Sequence, residues 1–235
     1  LNKKILVIAP HNDDEVLGVG GTIARFATEG AEVYVVIVTK GCPPEYTEES
    51  SQEDIKEALA AHQLLGVKDT VFLSFPAARL DTVPHCDVNI QLFEVIKKIQ
   101  PDLLFIPFAG DIHLDHQRVF LSSLVAARPN RAYSPKAIYA YETLSETNWN
   151  APYLAPNFVP NFFIEISAYL ETKIQAMQMY ASQIQQFPHE RSEESLRALA
   201  TLRGSTVGCF AAEGFVLVRS IIWDSPLSQQ ARRYG

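Results

Sequence analysis

Strand-length apolar runs alternate with helix-periodic stretches through the first half of this chain. Residues 5–9, 32–39, 70–75, 103–108 and 137–141 are the runs, rich in Val, Ile, Leu and Phe. Residues 19–29, 51–65, 88–99 and 115–127 are the periodic stretches between them. Gly30 and Gly66 close the first two, and Pro101 follows the third. Fully apolar strands separated by helices predict a mostly parallel, Rossmann-like sheet with helices on both faces, a three-layer α/β/α fold. The C-terminal part is more elaborate. A loop over 143–162 carries Pro152, Pro156 and Pro160, and a loop of that length suits a lid or a wall. A strand at 162–166, a helix running on to 186, a helix at 193–203 and a closing strand at 215–222 are expected after it. The whole of 1–235 reads as a single domain.

Composition removes several function classes. The hydrophobic share of 47% supplies a core and the charged share of 20% is ordinary, which argues against disorder. The net charge of −7 argues against a nucleic-acid binder that works through phosphate contacts. Cys42, Cys86 and Cys209 are widely spaced and form no Cys-x-x-Cys pair, so neither a disulfide framework nor a cysteine-zinc site is expected. No apolar stretch approaches the ~20 residues that span a bilayer. The run at 5–9 after Lys3-Lys4 is cut short by acidic residues, unlike a secretory leader. These features predict a cytoplasmic protein with no integral membrane segment. They leave open whether it forms a homo-oligomer.

The chemistry concentrates where strands end. Pro10-His11-Asn12-Asp13-Asp14-Glu15 follows the first run, and Asp111-Ile112-His113-Leu114-Asp115-His116 follows the fourth. In an open parallel sheet, ligands bind beyond the carboxyl ends of the strands, so both clusters are expected on one rim. Carboxylates so closely spaced repel one another unless a cation sits among them. Histidine with carboxylate suits zinc, with iron, cobalt or manganese as options. His11 and Asp14 from one loop and His116 from the other could bind zinc on one side, leaving positions open for water and substrate. Asp13 would then be free to take a proton from water. A protonated His113 could stabilise an oxyanion or protonate a leaving amine, with Asp115 or Asp111 holding its ring.

These two motifs, with Leu17-Gly18 and Gly20-Gly21-Thr22, resemble the zinc-dependent de-N-acetylases of the PIG-L/LmbE-like family. Weaker matches are Thr39-Lys40-Gly41, Leu65-Gly66-Val67, Arg203-Gly204 and Ala212-Glu213-Gly214-Phe215. The resemblance spans about residues 4 to 220. It implies His11, Asp14 and His116 as zinc ligands, Asp13 as general base, and His113 as oxyanion stabiliser tuned by Asp115. It implies hydrolysis of the acetamide of an N-acetylglucosamine-type sugar or its conjugate. The chain departs from the family pattern at Asn12, usually Pro, and at Asp54-Ile55-Lys56-Glu57, where many relatives carry an arginine pair. It also departs at Ala77, often Asp, and at Asp111, where some relatives place Tyr. The departures leave the metal chemistry intact and the substrate open.

Rival readings remain. A binding module that uses metal only to hold ligand is disfavoured by an intact Asp13 and His113, and hydrolysis of another amide or an ester is a third option. Gly18-Val19-Gly20-Gly21 fails the Gly-x-Gly-x-x-Gly spacing of a dinucleotide site, and three adjacent acids would repel a pyrophosphate. Those glycines suit close helix–sheet packing. Candidate substrate contacts are Arg79, Asp81, Asp111, Arg118 and His189. Glu213 reads as structural or as support for the site. Tyr139, Tyr141 and Trp149 read as core before sugar-stacking platforms. His62 and His85 have no evident partner.

Overall fold

Every apolar run of the first half becomes a strand and every periodic stretch a helix. The computed structural model describes residues 3–222, so the outermost ends of the expected 1–235 domain lie outside the described residues. The chain runs β1 (Lys4–Ala9), α1 (Asp14–Thr28), β2 (Glu32–Lys40), α2 (Glu48–Leu65), β3 (Asp69–Pro76), a 3-10 turn (Leu80–Thr82), α3 (His85–Ile99) and β4 (Leu103–Pro107). It continues through α4 (Leu114–Ala126), β5 (Ala137–Tyr141), β6 (Phe162–Glu165), α5 (Leu170–Gln178), α6 (Glu193–Val207) and β7 (Ala212–Ser220).

The strand order is β3-β2-β1-β4-β5-β7-β6. β1 to β5 are parallel, and β7 runs antiparallel to both β5 and β6. Side chains alternate across β1. Ile5, Val7 and Ala9 enter one core with α1, α2, α5 and α6, whereas Leu6 and Ile8 enter the other with α3 and α4. The three-layer expectation holds. From β1 the chain steps outward to β2 and β3, then returns to the other side of β1 as β4. That reversal opens a crevice past the carboxyl ends of β1 and β4, where both His/Asp clusters emerge.

Two helix boundaries move furthest from expectation. α1 starts at Asp14 rather than near residue 19, because the Asp13 carbonyl accepts from the amides of Val16 and Leu17. The acids thus form the first turn of the helix, where they favour its dipole. The helix expected to reach 186 spans only Leu170–Gln178. Tight turns at Tyr180 and Gln183 replace its end, placing the Tyr180 hydroxyl on buried Glu15 and Gln183 at the crevice.

Small residues let α1 lie close on the sheet. A Cβ at Gly18 would stand 2.3 Å from Cδ2 of Tyr141, and one at Gly21 would stand 2.6 Å from Cδ1 of Ile166. The middle of α1 is also pinned by a buried ion pair. Glu213 on β7 accepts from the amides of Gly21 (3.0 Å) and Thr22 (2.8 Å), and Lys173 donates to Glu213 (2.6 Å) and to the Leu17 carbonyl (2.7 Å). Glu213 is therefore a structural brace between β7, α5 and the helix that starts at the acidic cluster.

Removing one member of a buried pair leaves an uncompensated charge. Glu213→Ala should lower unfolding stability by about 3–5 kcal/mol, measured by urea denaturation, whereas Glu213→Leu/Lys173→Met should lose clearly less. Equal losses would show that charge balance is not what matters there.

Candidate metal centre

The first loop turns sharply at Asp13, whose φ of 99° lies in a region that non-glycine residues rarely adopt. The turn separates its two acids. The Asp14 carboxylate folds back, accepting the His11 amide at Oδ2 (2.9 Å), while the Asp13 carboxylate faces the crevice. Glu15, the third acid, is fully buried and turned away. Its Oε1 meets His62 Nε2 (3.1 Å) and accepts from the Tyr180 hydroxyl, and its Oε2 accepts the Asp13 amide (3.2 Å). His62 reaches Thr70 with its other nitrogen at 2.8 Å. Glu15 and His62 thus anchor the loop from beneath.

His11, Asp14 and His116 each present one ligand atom, all within 4.8 Å of one another. His116 Nδ1 bonds to Asp111 Oδ2 at 2.8 Å, and Asp111 Oδ1 accepts from Thr147 at 2.6 Å. When His116 is neutral and donates its Nδ1–H to Asp111, as it must to bind a metal, Nε2 carries a bare lone pair. That atom is buried, lies 3.2 Å from Asp14 Oδ2, and makes no hydrogen bond. On the other side, His11 Nε2 bonds to Asp115 Oδ2 (3.0 Å) and its Nδ1 lies 3.3 Å from the same Asp14 oxygen. Two imidazole nitrogens therefore converge on one carboxylate oxygen, each ring held at its far nitrogen by another carboxylate. That is how histidine ligands are usually oriented for a metal, and an orphaned buried acceptor fits such an ion. His11, His113 and Asp115 form a second group within the same distance. It is the weaker donor set, because Asp115 already accepts from His11, from the Ala78 amide (2.7 Å) and from the Leu80 amide (3.0 Å).

Without a metal the cluster holds protons. Burial lowers the His11 pKa, but hydrogen bonds to Asp115 and Asp14 outweigh it and carry it to about 9. His116 rises as well, burial being overcome by the Asp14 charge and the bond to Asp111. Burial raises Asp14, but the His116 charge, the hydrogen bond to His11 and the closeness of both imidazoles take it well below the usual carboxylate range. His113 goes the other way, to about 4, through burial first and then the charges of His11 and His116. The protonated His113 of the sequence reading is therefore replaced by a neutral one. Its Nδ1 accepts from the Asp115 amide at 3.1 Å, capping α4, so its proton sits on Nε2. It remains a donor without a charge.

A cavity of about 260 Å³ opens over these groups, lined by His11, Asn12, Asp13, His113, Glu146 and Arg191 among others. Arg191 was not among the sequence candidates. It donates to Asp13 Oδ2 (2.8 Å), to Gln183 (2.8 Å) and to Ser145 (3.0 Å), and lies 3.7 Å from Glu146. Burial pushes the Asp13 carboxyl up, the Arg191 charge opposes that, and the charges of Asp14 and Glu15 add to the rise. The only sequence signal for Arg191 was its place two residues after His189.

The remaining candidates are scattered. Asp111 is fully buried with both oxygens engaged, so it supports His116 rather than touching a substrate. Asp115 holds His11 with its carboxylate, not the His113 ring as expected. Arg79 is tied to Glu45 at 2.6 Å, and Arg79, Asp81 and Arg118 do not line the cavity; Ala77 and Ala78 do. His189 and Trp149 border an adjoining groove with Arg191 and Glu146. Glu146 makes the 143–162 loop a wall of the site. Tyr139 and Tyr141 are core residues, and His85 bonds to Ser122 at 3.3 Å, joining α3 to α4 on the other face.

Residues 6–127, just over half of the chain, match the family described as PIG-L, GlcNAc-PI de-N-acetylase. The chain belongs to the PIG-L family. Among its relatives is the diacetylchitobiose deacetylase of Thermococcus kodakarensis, 28% identical over 234 residues, covering 93% of this chain and 84% of that one. The N,N'-diacetylchitobiose deacetylase of Pyrococcus horikoshii, solved with an inhibitor, superposes with a TM-score of 0.75 at 27% identity, over 92% of this chain and 84% of that one. GalB, the 4-carboxy-2-hydroxymuconate hydratase from Pseudomonas putida, superposes at 0.74 over 95% and 99% of the two chains, and at 23% identity it shares the fold alone. No helix among the described residues is long and apolar enough to cross a membrane.

Asp111→Asn should weaken zinc binding about 10–100-fold in a chelator competition, because His116 loses the carboxylate that orients it. An unchanged affinity would remove Asp111 from the site. Apparent zinc affinity should also rise with pH up to and through the His11 pKa of about 9, since the metal must displace the protons held by both imidazoles. Calorimetry in buffers of different ionisation enthalpy measures the protons released, and a pH-independent affinity would contradict the assignment.

Proposed function

We propose that this PIG-L family member is a zinc-dependent de-N-acetylase that hydrolyses the acetamide of an N-acetylglucosamine-type sugar or sugar conjugate. The observation that carries it is the convergence of His11 Nδ1 and His116 Nε2 on Asp14 Oδ2, with the Asp13 carboxylate unliganded in the same cavity. Zinc heads the possible metals because two imidazoles and a carboxylate suit it and leave open positions, with iron, cobalt or manganese as alternatives. When bound, such a metal supplies Lewis acidity toward water and the acetamide carbonyl. Relatives named as diacetylchitobiose deacetylases support an acetylated amino sugar as substrate. The three free thiols fit a reducing compartment.

The chain's own groups divide the work. Asp13 takes the proton of the attacking water and returns it to the departing amine. Burial holds its pKa above that of an ordinary carboxylate, which makes it the stronger base. Arg191 fixes the orientation of that carboxylate through the 2.8 Å bond. The Nε2–H of neutral His113 donates to the oxygen that gains charge as the carbonyl carbon becomes tetrahedral. Acetate and a free amino sugar leave the cavity.

Acetate release from a panel of N-acetylated sugars tests the reading. Metal-loaded protein should release acetate, chelator should stop it, and re-addition of zinc should restore it. Asp13→Asn should lower kcat by about 10²–10⁴-fold while still binding zinc. A loaded protein that releases no acetate from any of the panel would defeat the proposal.

A further inference from the structure

The charges around the cavity are uneven. Lys40, beside the lining residues Thr39 and Gly41, donates to both oxygens of Glu48 at 2.7 and 2.9 Å. Arg79, next to Ala78, holds both oxygens of Glu45 at 2.6 Å. Arg191 is committed to Asp13. Asp54 lines the cavity, half-buried, and has no hydrogen bond or counter-ion among the described residues. Burial raises its pKa, and the charges of Glu57 and Glu53 raise it further. A carboxylate in that position gains from any cation that reaches it.

Tyr46 completes the surroundings. Its ring packs on Gly41, where a Cβ would come within 2.7 Å of Tyr46 Cγ and 2.9 Å of Ser51 Oγ. Ser51 in turn donates to the Gly41 carbonyl at 2.7 Å. Asp54 lies three residues after Ser51 on α2, hence on the same helix face. Tyr46 is 40% exposed and lines the cavity along with Asp54. A carboxylate and an exposed aromatic ring on one wall suit an ammonium group.

We propose that Asp54, with Tyr46, forms a subsite for a positively charged group on the sugar conjugate, such as the amino group of an adjoining glucosamine unit. The inference rests on reading the cavity as the de-N-acetylase site and narrows its substrates to cationic conjugates. Conjugates with an anionic partner group are disfavoured by the same carboxylate.

Binding can be measured without turnover by using disaccharides that lack an acetamide. Zinc-loaded wild type and Asp54→Asn are titrated calorimetrically with glucosaminyl-glucosamine and with cellobiose, its neutral counterpart. Wild type should bind the diamine at least about tenfold more tightly than cellobiose, and Asp54→Asn should lose about that factor for the diamine alone. Asp54→Glu should recover part of it. Raising salt from about 50 mM to about 500 mM should weaken only the diamine. If Asp54→Asn binds both sugars as wild type does, or wild type shows no preference, the subsite is wrong. Asp54-dependent amine binding in a protein that releases no acetate would support the subsite and sink the de-N-acetylase reading, so the two failures are distinguishable.

Discussion

One oxygen of Asp14 sets the terms for the rest of the molecule. It stands 3.3 Å from His11 Nδ1 and 3.2 Å from His116 Nε2, and those nitrogens come from the loop after β1 and from the first turn of α4, which follows β4. Three donor atoms so close are mutually tolerable only with a cation among them, whether protons on the imidazoles or a metal. The raised pKa values of both histidines and the depressed one of Asp14 express that demand in the metal-free protein.

Much of the surrounding structure holds this arrangement in place. Strand order brings β4 beside β1, which no local sequence preference would do. Beneath the loop, Glu15, His62 and Tyr180 tie the start of α1 to α2 and to the segment after α5. Behind the second loop, Asp111 and Thr147 fix the His116 ring, and Asp115 fixes the His11 ring while bracing the turn after β3. Glu213 and Lys173 pin the middle of α1 to β7 and α5. The positive φ at Asp13 belongs to the same design, since it parts a carboxylate that meets the histidines from one that faces the cavity.

The clustering of histidines and carboxylates was legible in the sequence because it is local. His11, Asp14, His113 and His116 sit within short motifs just after strand-like runs, and parallel-sheet topology brings strand ends together. The layers were legible for the same reason, as apolar runs and helical periods are read over a few residues. What lay hidden depends on distant partners. Arg191 meets Asp13 across 178 positions, and apart from the nearby His189 nothing in Pro188-His-Glu-Arg191 points there. Asp111 looked like a substrate contact, yet its bonds to His116 and Thr147 enclose it. Arg79 carries the right charge on the right rim but is neutralised by Glu45. The shortened α5 belongs with these, since beyond residue 178 the chain turns and the Tyr180 hydroxyl meets the buried Glu15, 165 positions away. Asp54, a mere departure from the family pattern in sequence, becomes informative only once it lines the cavity.

The central claim is that both loops grip one metal through His11, Asp14 and His116 while Asp13 stays free. Anomalous X-ray scattering at the zinc edge from crystals of the zinc-loaded protein tests it most directly. The account predicts one zinc bonded to His11 Nδ1, an Asp14 carboxylate oxygen and His116 Nε2, at about 2.0–2.2 Å from each. A zinc ligated by Asp13, or one seated among His11, His113 and Asp115, would contradict it.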